Sequence, residues 1–166
     1  MLLTELLASK HKRKEFSCGK ELLDHYLYHQ AGQDVKRKLS ACFILEDAAS
    51  RLIQGYYTLA NNSIPLAWVP SDFQKKLPPS YSSIPTTLLG RLAIDQRFQS
   101  KGIGKLLLLD ALYRSYEISK TMGSFAVVVD PLDEEAETFY SKYGFLKLPD
   151  SGKMFLAMQT IRYLFE

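Results

Sequence analysis

The stretch Leu89-Gly90-Arg91-Leu92-Ala93-Ile94-Asp95, followed by Gln99-Ser100-Lys101-Gly102-Ile103-Gly104-Lys105, decides the reading of this chain. Leu92, Ala93 and Ile94 form the apolar end of a strand. Leu106 to Leu109 announce a helix that continues through Ala111 and Leu112. Between them, Gly102 and Gly104 let the backbone approach a bulky anion, since neither carries a Cβ. The first turn of a helix presents unpaired N–H groups at the positive end of the dipole, so the junction is suited to phosphate. Lys101 and Lys105 add positive charge beside it. The glycine spacing separates this loop from the commoner nucleotide motifs. A P-loop has four residues between its glycines and then Lys-Ser or Lys-Thr; here one residue separates the glycines, and Lys105 is followed by Leu106. A dinucleotide fingerprint has a third glycine where Leu107 stands.

The 166 residues give room for one domain with a full core and not comfortably for two, so residues 1–166 read as a single domain. An apolar share of 46% with 23% charged residues is that of a water-soluble globular protein. No apolar run approaches the ~20 residues of a membrane span. Met1 to Leu7 has no basic segment before its short apolar run and no cleavage site, so a cytoplasmic location is expected. Cys18 and Cys42 are too few and too far apart for a disulfide framework or a zinc site, and read as buried thiols. A net charge of +3 permits a polyanionic partner without demanding one.

Along the chain, the basic run Lys10 to Lys14 leads into a turn at Phe16-Ser17-Cys18-Gly19. Lys20 to Asp34 reads as one helix with Leu22, Leu23, Tyr26 and Leu27 inward. A second basic cluster, Lys36-Arg37-Lys38, follows. Residues 41–45 and 52–59 form a hairpin. Residues 61–85 hold five prolines and read as an irregular insertion with one short helix at 71–77. From Thr86 the order is strand, helix, strand, helix, strand. Residues 125–129 form a continuously apolar central strand. Asp133 is the N-cap of the following helix, the last one expected, and Gly144 terminates it. Residues 145–148 and 154–158 complete a mixed α/β sheet.

Gln-x-x-Gly-x-Gly preceded by Arg91-Leu92-Ala93-Ile94 resembles the coenzyme A pyrophosphate loop of the GNAT superfamily of N-acetyltransferases. Phe139-Tyr140-Ser141-Lys142-Tyr143-Gly144-Phe145 is common to many of its enzymes. Phe16-Ser17-Cys18-Gly19 with Leu23-Asp24, Gly55-Tyr56-Tyr57-Thr58-Leu59, Ser63-Ile64-Pro65, Leu77-Pro78, Ile84 to Ile94 and Val128-Val129-Asp130 are narrower. Together they resemble the tRNA-acetylating toxins of bacterial toxin–antitoxin modules, in the family's order over nearly the whole chain. The chain departs from that pattern at Ser100, where these toxins usually have glycine, and at Pro131, where alanine is usual.

The resemblance implies the GNAT fold, a mixed central sheet flanked by helices whose splayed strands hold acetyl-CoA. It implies acetyl transfer from acetyl-CoA to a primary amine. The pantetheine arm would follow the strand at Leu92, Ala93 and Ile94, bonding main-chain groups at Leu92 and Ile94. The pyrophosphate would sit on Gln99, Ser100, Lys101, Gly102, Ile103, Gly104 and Lys105. A strand N–H polarising the thioester carbonyl is worth ~3 kcal/mol of barrier. Tyr140 is the expected proton donor to the leaving thiolate, a phenol with an ordinary pKa near ~10 facing a thiol near ~8.5.

No general base stands out. His25 and His29, four apart, lack a third ligand, so no metal is expected. Without a base, an acceptor with a low pKa is favoured: the α-amino group of an amino acid esterified to tRNA starts near ~8 and is pulled lower by the ester. Lys36, Arg37 and Lys38, Lys75 and Lys76, the run Lys10 to Lys14, and Arg91 are the candidate tRNA contacts; Arg91, a charge inside an apolar strand, reads as a substrate contact or a structural ion pair. The resemblance further implies a homodimer and a ribbon-helix-helix antitoxin. Two other functions stay open: a GNAT enzyme acting on a protein or small-molecule amine, and a non-catalytic CoA-binding partner protein.

Overall fold

The computed structural model describes residues 2–166. The strands hydrogen-bond in the order β1-β2-β3-β4-β5-β7-β6, a mixed sheet with helices along it. The chain divides into two compact units, Met1–Ala60 with Leu89–Arg114, and Asn61–Leu88 with Ser115–Glu166.

In the first unit, β2 (Ala41–Glu46) and β3 (Ile53–Pro65) form the expected antiparallel hairpin, with Phe43 opposite Tyr57 and Ile44 opposite Tyr56. β3 runs on into the stretch read as irregular. A short strand absent from the sequence reading, β1 (Glu5–Leu6), pairs antiparallel with β2. Two residues carry too little alternation to be read as a strand. Asp110 holds this segment, its carboxylate accepting from the Leu3 N–H at 2.5 Å, the Thr4 hydroxyl at 2.6 Å and the Tyr57 hydroxyl at 2.8 Å. Arg114 adds donors to Tyr57 and Thr4 and lies over the Phe43 ring.

The helix expected over 20–34 is two, α1 (Glu21–His29) and α2 (Ala31–Lys36). The chain bends at Gln30, with φ −122° and ψ −36°. The second helix brings Asp34 to accept the Tyr26 hydroxyl at 2.8 Å. Tyr26 and Leu27 are buried with Phe16, Ala31, Cys42, Ile44, Ile53 and Tyr56. Leu22, expected inward, is 70% exposed: Leu23, the next position round the same turn, takes the place against this core. α2 ends with the Lys38 N–H donating to the Val35 carbonyl and the Leu39 N–H to the Asp34 carbonyl. That closure places Lys38 at φ 63°, where glycine is usual.

β4 (Ser83–Ile94), which belongs to the second unit as far as Leu88, pairs in parallel with β5 (Ala126–Val129) at Thr87↔Val127 and Leu88↔Val128. β5 is buried along its length and pairs antiparallel with β7 (Met154–Ala157), which in turn pairs with β6 (Leu146–Lys147). The proline-rich segment holds α3 (Ser71–Gln74), shorter than expected, and is well packed. Ile64, Val69 and Ile84 join the core, and the Phe73 ring meets Phe155 edge-on at 5.2 Å. Prolines here set the turns while Leu66, Trp68, Phe73 and Leu77 between them pack against that core; Tyr81 is exposed. α4 (Ile103–Ser119) extends well past Leu112, and a further helix, α6 (Met158–Phe165), follows the one expected to be last.

Candidate active site and its phosphate loop

The phosphate loop begins where β4 ends. β4 continues to Ile94 beyond the two residues paired with β5, and Leu92 to Ile94 lie in that continuation. Gly55 of β3 faces it: a Cβ there would lie 2.8 Å from the Ala93 carbonyl oxygen and 2.8 Å from the Ile94 Cδ1. The glycine of Gly-Tyr-Tyr-Thr-Leu is therefore a close-approach position against the strand expected to carry pantetheine.

After Ile94 the chain turns sharply. The Asp95 N–H donates to the Gln54 carbonyl at 2.8 Å, and its carboxylate accepts from the N–H groups of Arg97 and Ser17 and from the Arg97 guanidinium. Burial works to raise the pKa of Asp95, but these donors outweigh it and hold the carboxyl below its ordinary value. The Gln99 side-chain amide donates to the Cys18 carbonyl at 3.0 Å and to the Ile94 carbonyl at 2.8 Å. Gln99 thus braces the loop, and its amide N–H groups are committed internally.

The segment Phe16 to Gly19 is tied to the same place. Phe16 is buried, the Ser17 carbonyl accepts from the Gln96 N–H at 2.8 Å, and the Cys18 N–H donates to Asp24 at 2.9 Å. Gly19 holds φ 92°, and a Cβ on it would meet the Gln96 side chain at 3.0 Å. Ser17, Gly19, Asp24, His25, Tyr28 and Gln96 line an open polar groove of about 460 Å³. The two narrow motifs near Phe16 and Gly55 therefore have a structural reason: they shape the walls and the floor around the loop.

Ser100 and Gly102 take positive φ, 62° and 79°, and Ile103 opens α4. Left-handed residues interleaved with Lys101 turn successive N–H groups toward one side, the arrangement that cradles anions. A serine in that conformation costs roughly 1 kcal/mol that glycine would not. A Cβ at Gly102 would meet nothing within 4 Å, so its backbone angle and not crowding accounts for that glycine. Ser100, Lys101, Gly102 and Lys105 are exposed, with Ile103 and Gly104 half-buried. The Lys101 ammonium lies 5.7 Å from the centre of the Phe98 ring. The residues present fit a pyrophosphate group.

In the second unit, Tyr140 stands near the end of α5 (Glu134–Lys142). The Asp133 side chain accepts from the Ala136 N–H at 2.9 Å, as its N-cap reading required. The far end is a glycine closure. The Gly144 N–H donates to the Ser141 carbonyl, the Phe145 N–H to the Tyr140 carbonyl, and Gly144 holds φ 93°. Phe-Tyr-x-x-x-Gly-Phe is thus a helix terminator that fixes the tyrosine's turn. Tyr140 is 6% exposed, and its hydroxyl has no hydrogen-bond partner among the described residues. Burial pushes its pKa upward, with no opposing contribution. It stays protonated throughout the working range.

Arg91, read from sequence as a substrate contact or an ion-paired residue, has its guanidinium carbon 3.4 Å from the centre of the Tyr26 ring. Its partner is an aromatic face and not a carboxylate. Lys36, Arg37 and Lys38 are exposed at the end of α2. The His25 and His29 rings lie with centres 4.6 Å apart and planes tilted by 52°. A cluster that the sequence did not reveal, Glu5, His11 and Glu46, brings its ligand atoms within 4.8 Å of one another. His11 Nδ1 accepts the Ala8 N–H, so Nε2 carries the proton and donates to Glu5 at 2.9 Å. A metal on Nε2 would force a proton onto Nδ1, against an N–H donor. Cys18 and Cys42 are free and buried, and burial pushes both thiols up to about 12.

Residues 83–155 match the acetyltransferase (GNAT) domain family. A tRNA-acetylating toxin of Mycobacterium tuberculosis is 33% identical over 90% of this chain and 87% of its own length. The solved structure of AtaT complexed with acetyl-methionyl-tRNAfMet has a TM-score of 0.90 and 32% identity, covering 98% of each chain. Further AtaT structures hold acetyl-CoA, at a TM-score of 0.85 with 98% of this chain and 97% of that chain covered, and the C-terminus of the antitoxin AtaR, at 0.81 with 98% and 96%. Their identities are 31% and 28%. A tyrosine-to-phenylalanine variant of KacT has a TM-score of 0.91 at 28% identity, covering 98% of each chain. The loop, the tyrosine helix and these likenesses agree: the chain belongs to the tRNA-acetylating toxins of the GNAT acetyltransferase superfamily.

Proposed function

We propose that this protein, residues 1–166 acting as one N-acetyltransferase domain, moves the acetyl group of acetyl-CoA onto the α-amino group of an aminoacyl-tRNA and so blocks translation. The observation that carries this is the 33% identity with a tRNA-acetylating toxin across 90% of the chain. The left-handed pair Ser100 and Gly102 ahead of α4 supports the cofactor part of the reading.

Bound acetyl-CoA supplies the activated thioester. Main-chain groups of Leu92, Ala93 and Ile94 hold and orient its arm, and the N–H groups of Ser100 to Lys105 hold its pyrophosphate, with Gln99 bracing the loop. Lys101 and Lys105 offset the phosphate charge. Tyr140 keeps its proton until a thiolate departs. A phenol raised in pKa is a poor base and a weak acid, so its contribution depends on a proton already aimed at sulfur as the C–S bond breaks. No side chain is required to deprotonate the acceptor, because an esterified α-amino group is largely neutral near pH 8.

Lys36, Arg37 and Lys38, exposed at the end of α2, are placed as phosphate contacts of the tRNA. The working form is a cytoplasmic homodimer, held in check by a ribbon-helix-helix antitoxin. AtaT with the antitoxin's C-terminus and acetyl-CoA, and the KacTA and AtaT–AtaR complexes with DNA, support a partner of that kind.

The test is transfer of labelled acetyl to bulk charged tRNA beside uncharged tRNA, with wild type and Tyr140→Phe. Label on charged tRNA alone, lost in the variant, is expected. Label on protein or polyamine, with none on tRNA, would move the acceptor to another amine. Acetyl-CoA binding without any turnover would make the protein a non-catalytic partner.

A further inference from the structure

Between the end of β4 and the start of α4, Asp95, Gln96, Arg97 and Gln99 all bond to one short turn, Glu15 to Cys18. The Asp95 carboxylate accepts the Ser17 N–H at 3.0 Å, and the Gln96 N–H donates to the Ser17 carbonyl at 2.8 Å. The Arg97 guanidinium donates to the Glu15 carbonyl at 2.8 Å, and the Gln99 amide to the Cys18 carbonyl at 3.0 Å. Every group contributed by the turn is main chain, so these bonds fix its path and not its rotamers. The turn has its own anchors. Phe16 is buried, the Tyr28 hydroxyl donates to the Phe16 carbonyl, and the Cys18 N–H donates to Asp24.

Arg97 ties the two together. Its Nε and Nη2 meet the two oxygens of Asp95 at 2.9 Å each, a fork that sets the direction of the guanidinium, and Nη2 also reaches Glu15. A lysine keeps the charge but cannot reproduce the fork. Beyond Gln99 such anchors stop. Ser100 and Gly102 hold φ 62° and 79° and are exposed, and a Cβ on Gly102 would meet nothing within 4 Å. Among the described residues, neither the Ser100 nor the Lys101 side chain makes a hydrogen bond. The anion cradle therefore takes its position from its flanks, and its upstream flank is held by the turn.

We propose that Arg97 is a positioning residue for acetyl-CoA. Through Asp95 and the main chain of Glu15 to Cys18 it holds the phosphate loop in the form that receives the pyrophosphate, without touching the cofactor. This rests on the reading of Ser100 to Lys105 as the pyrophosphate site. By reciprocity, the cofactor must steady the turn as the turn steadies the cofactor.

The experiment measures binding of CoA and of dephospho-CoA by calorimetry for wild type, Arg97→Lys and Arg97→Gln. Thermal unfolding and amide exchange at Ser17, with and without saturating CoA, are measured beside it. Both variants should stay folded and bind both ligands about tenfold more weakly, because the receptive loop is then a minor population. Without ligand, the Ser17 amide should exchange faster in the variants than in wild type, and CoA should slow it in all three proteins. Folded variants with wild-type affinities would overturn the proposal. So would affinity kept in Arg97→Lys but lost in Arg97→Gln, which would make Arg97 a charge beside the phosphates. A loss confined to CoA would overturn it too, placing Arg97 on the 3′-phosphate. Ser17 exchange that CoA does not alter in any of the proteins would show the turn uncoupled from the cofactor and end the proposal. Wild type that bound neither ligand would sink the pyrophosphate-site reading itself, a result distinct from any difference among variants.

Discussion

Phe145 closes α5 onto Tyr140: its N–H donates to the Tyr140 carbonyl at 3.1 Å, and the two rings meet with centres 5.2 Å apart. The backbone of the proposed proton donor therefore carries the terminating bond of its own helix. Its hydroxyl has no hydrogen bond to lose among the described residues. Tyr140→Phe should leave the melting temperature within a few degrees of wild type and leave the acetyl-CoA KM nearly unchanged. It should lower kcat by about 10²-fold or more, the range of a lost general acid. An equal loss of cofactor affinity would instead make Tyr140 a packing residue.

Gly144→Ala separates the helix terminator from the chemistry. A Cβ at Gly144 would find ordinary contact, 3.8 Å from Leu156, so only its φ of 93° opposes substitution. The expected cost is about 1 kcal/mol of stability, measured by denaturant unfolding. Catalysis should fall with it, because the turn that sets Tyr140 shifts. A variant as stable as wild type would mean that the turn tolerates a side chain there.

Ser100 already occupies the left-handed region, at φ 62°. Ser100→Gly should keep or lower the acetyl-CoA KM. Ser100→Val, β-branched at a position that disfavours branching, should raise it by about an order of magnitude if it loses roughly 1.4 kcal/mol of cofactor binding. Identical KM values in all three proteins would show that the Ser100 conformation does not shape the phosphate loop.

Asp95 makes the loop sensitive to acid. Its folded pKa lies below the ordinary 3.8 despite burial, because Arg97 and the Ser17 N–H favour the charged form. A depressed carboxyl contributes stability that is fully present above its unfolded pKa and lost as pH falls through the folded value. Asp95→Asn should therefore be less stable than wild type at neutral pH, with the gap narrowing below about pH 4. Urea unfolding at pH 7 and pH 3 measures it; a gap of constant size would remove Asp95 from the acid response.

Both thiols should be inert in the native state. Burial pushes Cys18 and Cys42 up to about 12, so at pH 8 neither offers appreciable thiolate. A disulfide-exchange reagent should label neither in native protein and both after unfolding in guanidinium. Rapid native labelling of Cys42 would show that the first unit's core opens locally.

The loop and the tyrosine helix were legible in the sequence because each is a short-range device. Gly102 before a helical run, Asp133 three residues ahead of Ala136, and Gly144 after Lys142 all act within a turn of themselves. The hairpin at residues 41–59 was legible for the same reason. What escaped depends on distant partners. β1 is two residues long and exists through its pairing with β2 and through Asp110. The bend at Gln30 carries neither proline nor glycine, and it accompanies the contact of Asp34 with Tyr26. Ile64, Val69, Phe73 and Ile84 were hidden among prolines. Arg91 was noticed as a misplaced charge, yet its partner Tyr26 lies on a separate helix and no local pattern names it.

The clasp on Asp110 has a consequence for how the chain is made. Leu3 and Thr4 are made well before their anchor, since the carboxylate that holds them is 107 and 106 residues further along the chain. At about 5–20 residues per second this segment waits roughly 5–20 seconds for its anchor. During that interval the β2 edge that β1 later covers is open to other strands. The second unit begins at Asn61 but needs Ser115–Glu166, so neither half can finish in the order it is translated. A nascent chain stalled before Asp110 emerges should leave Leu3 and Thr4 open to a protease, and one stalled beyond Arg114 should protect them.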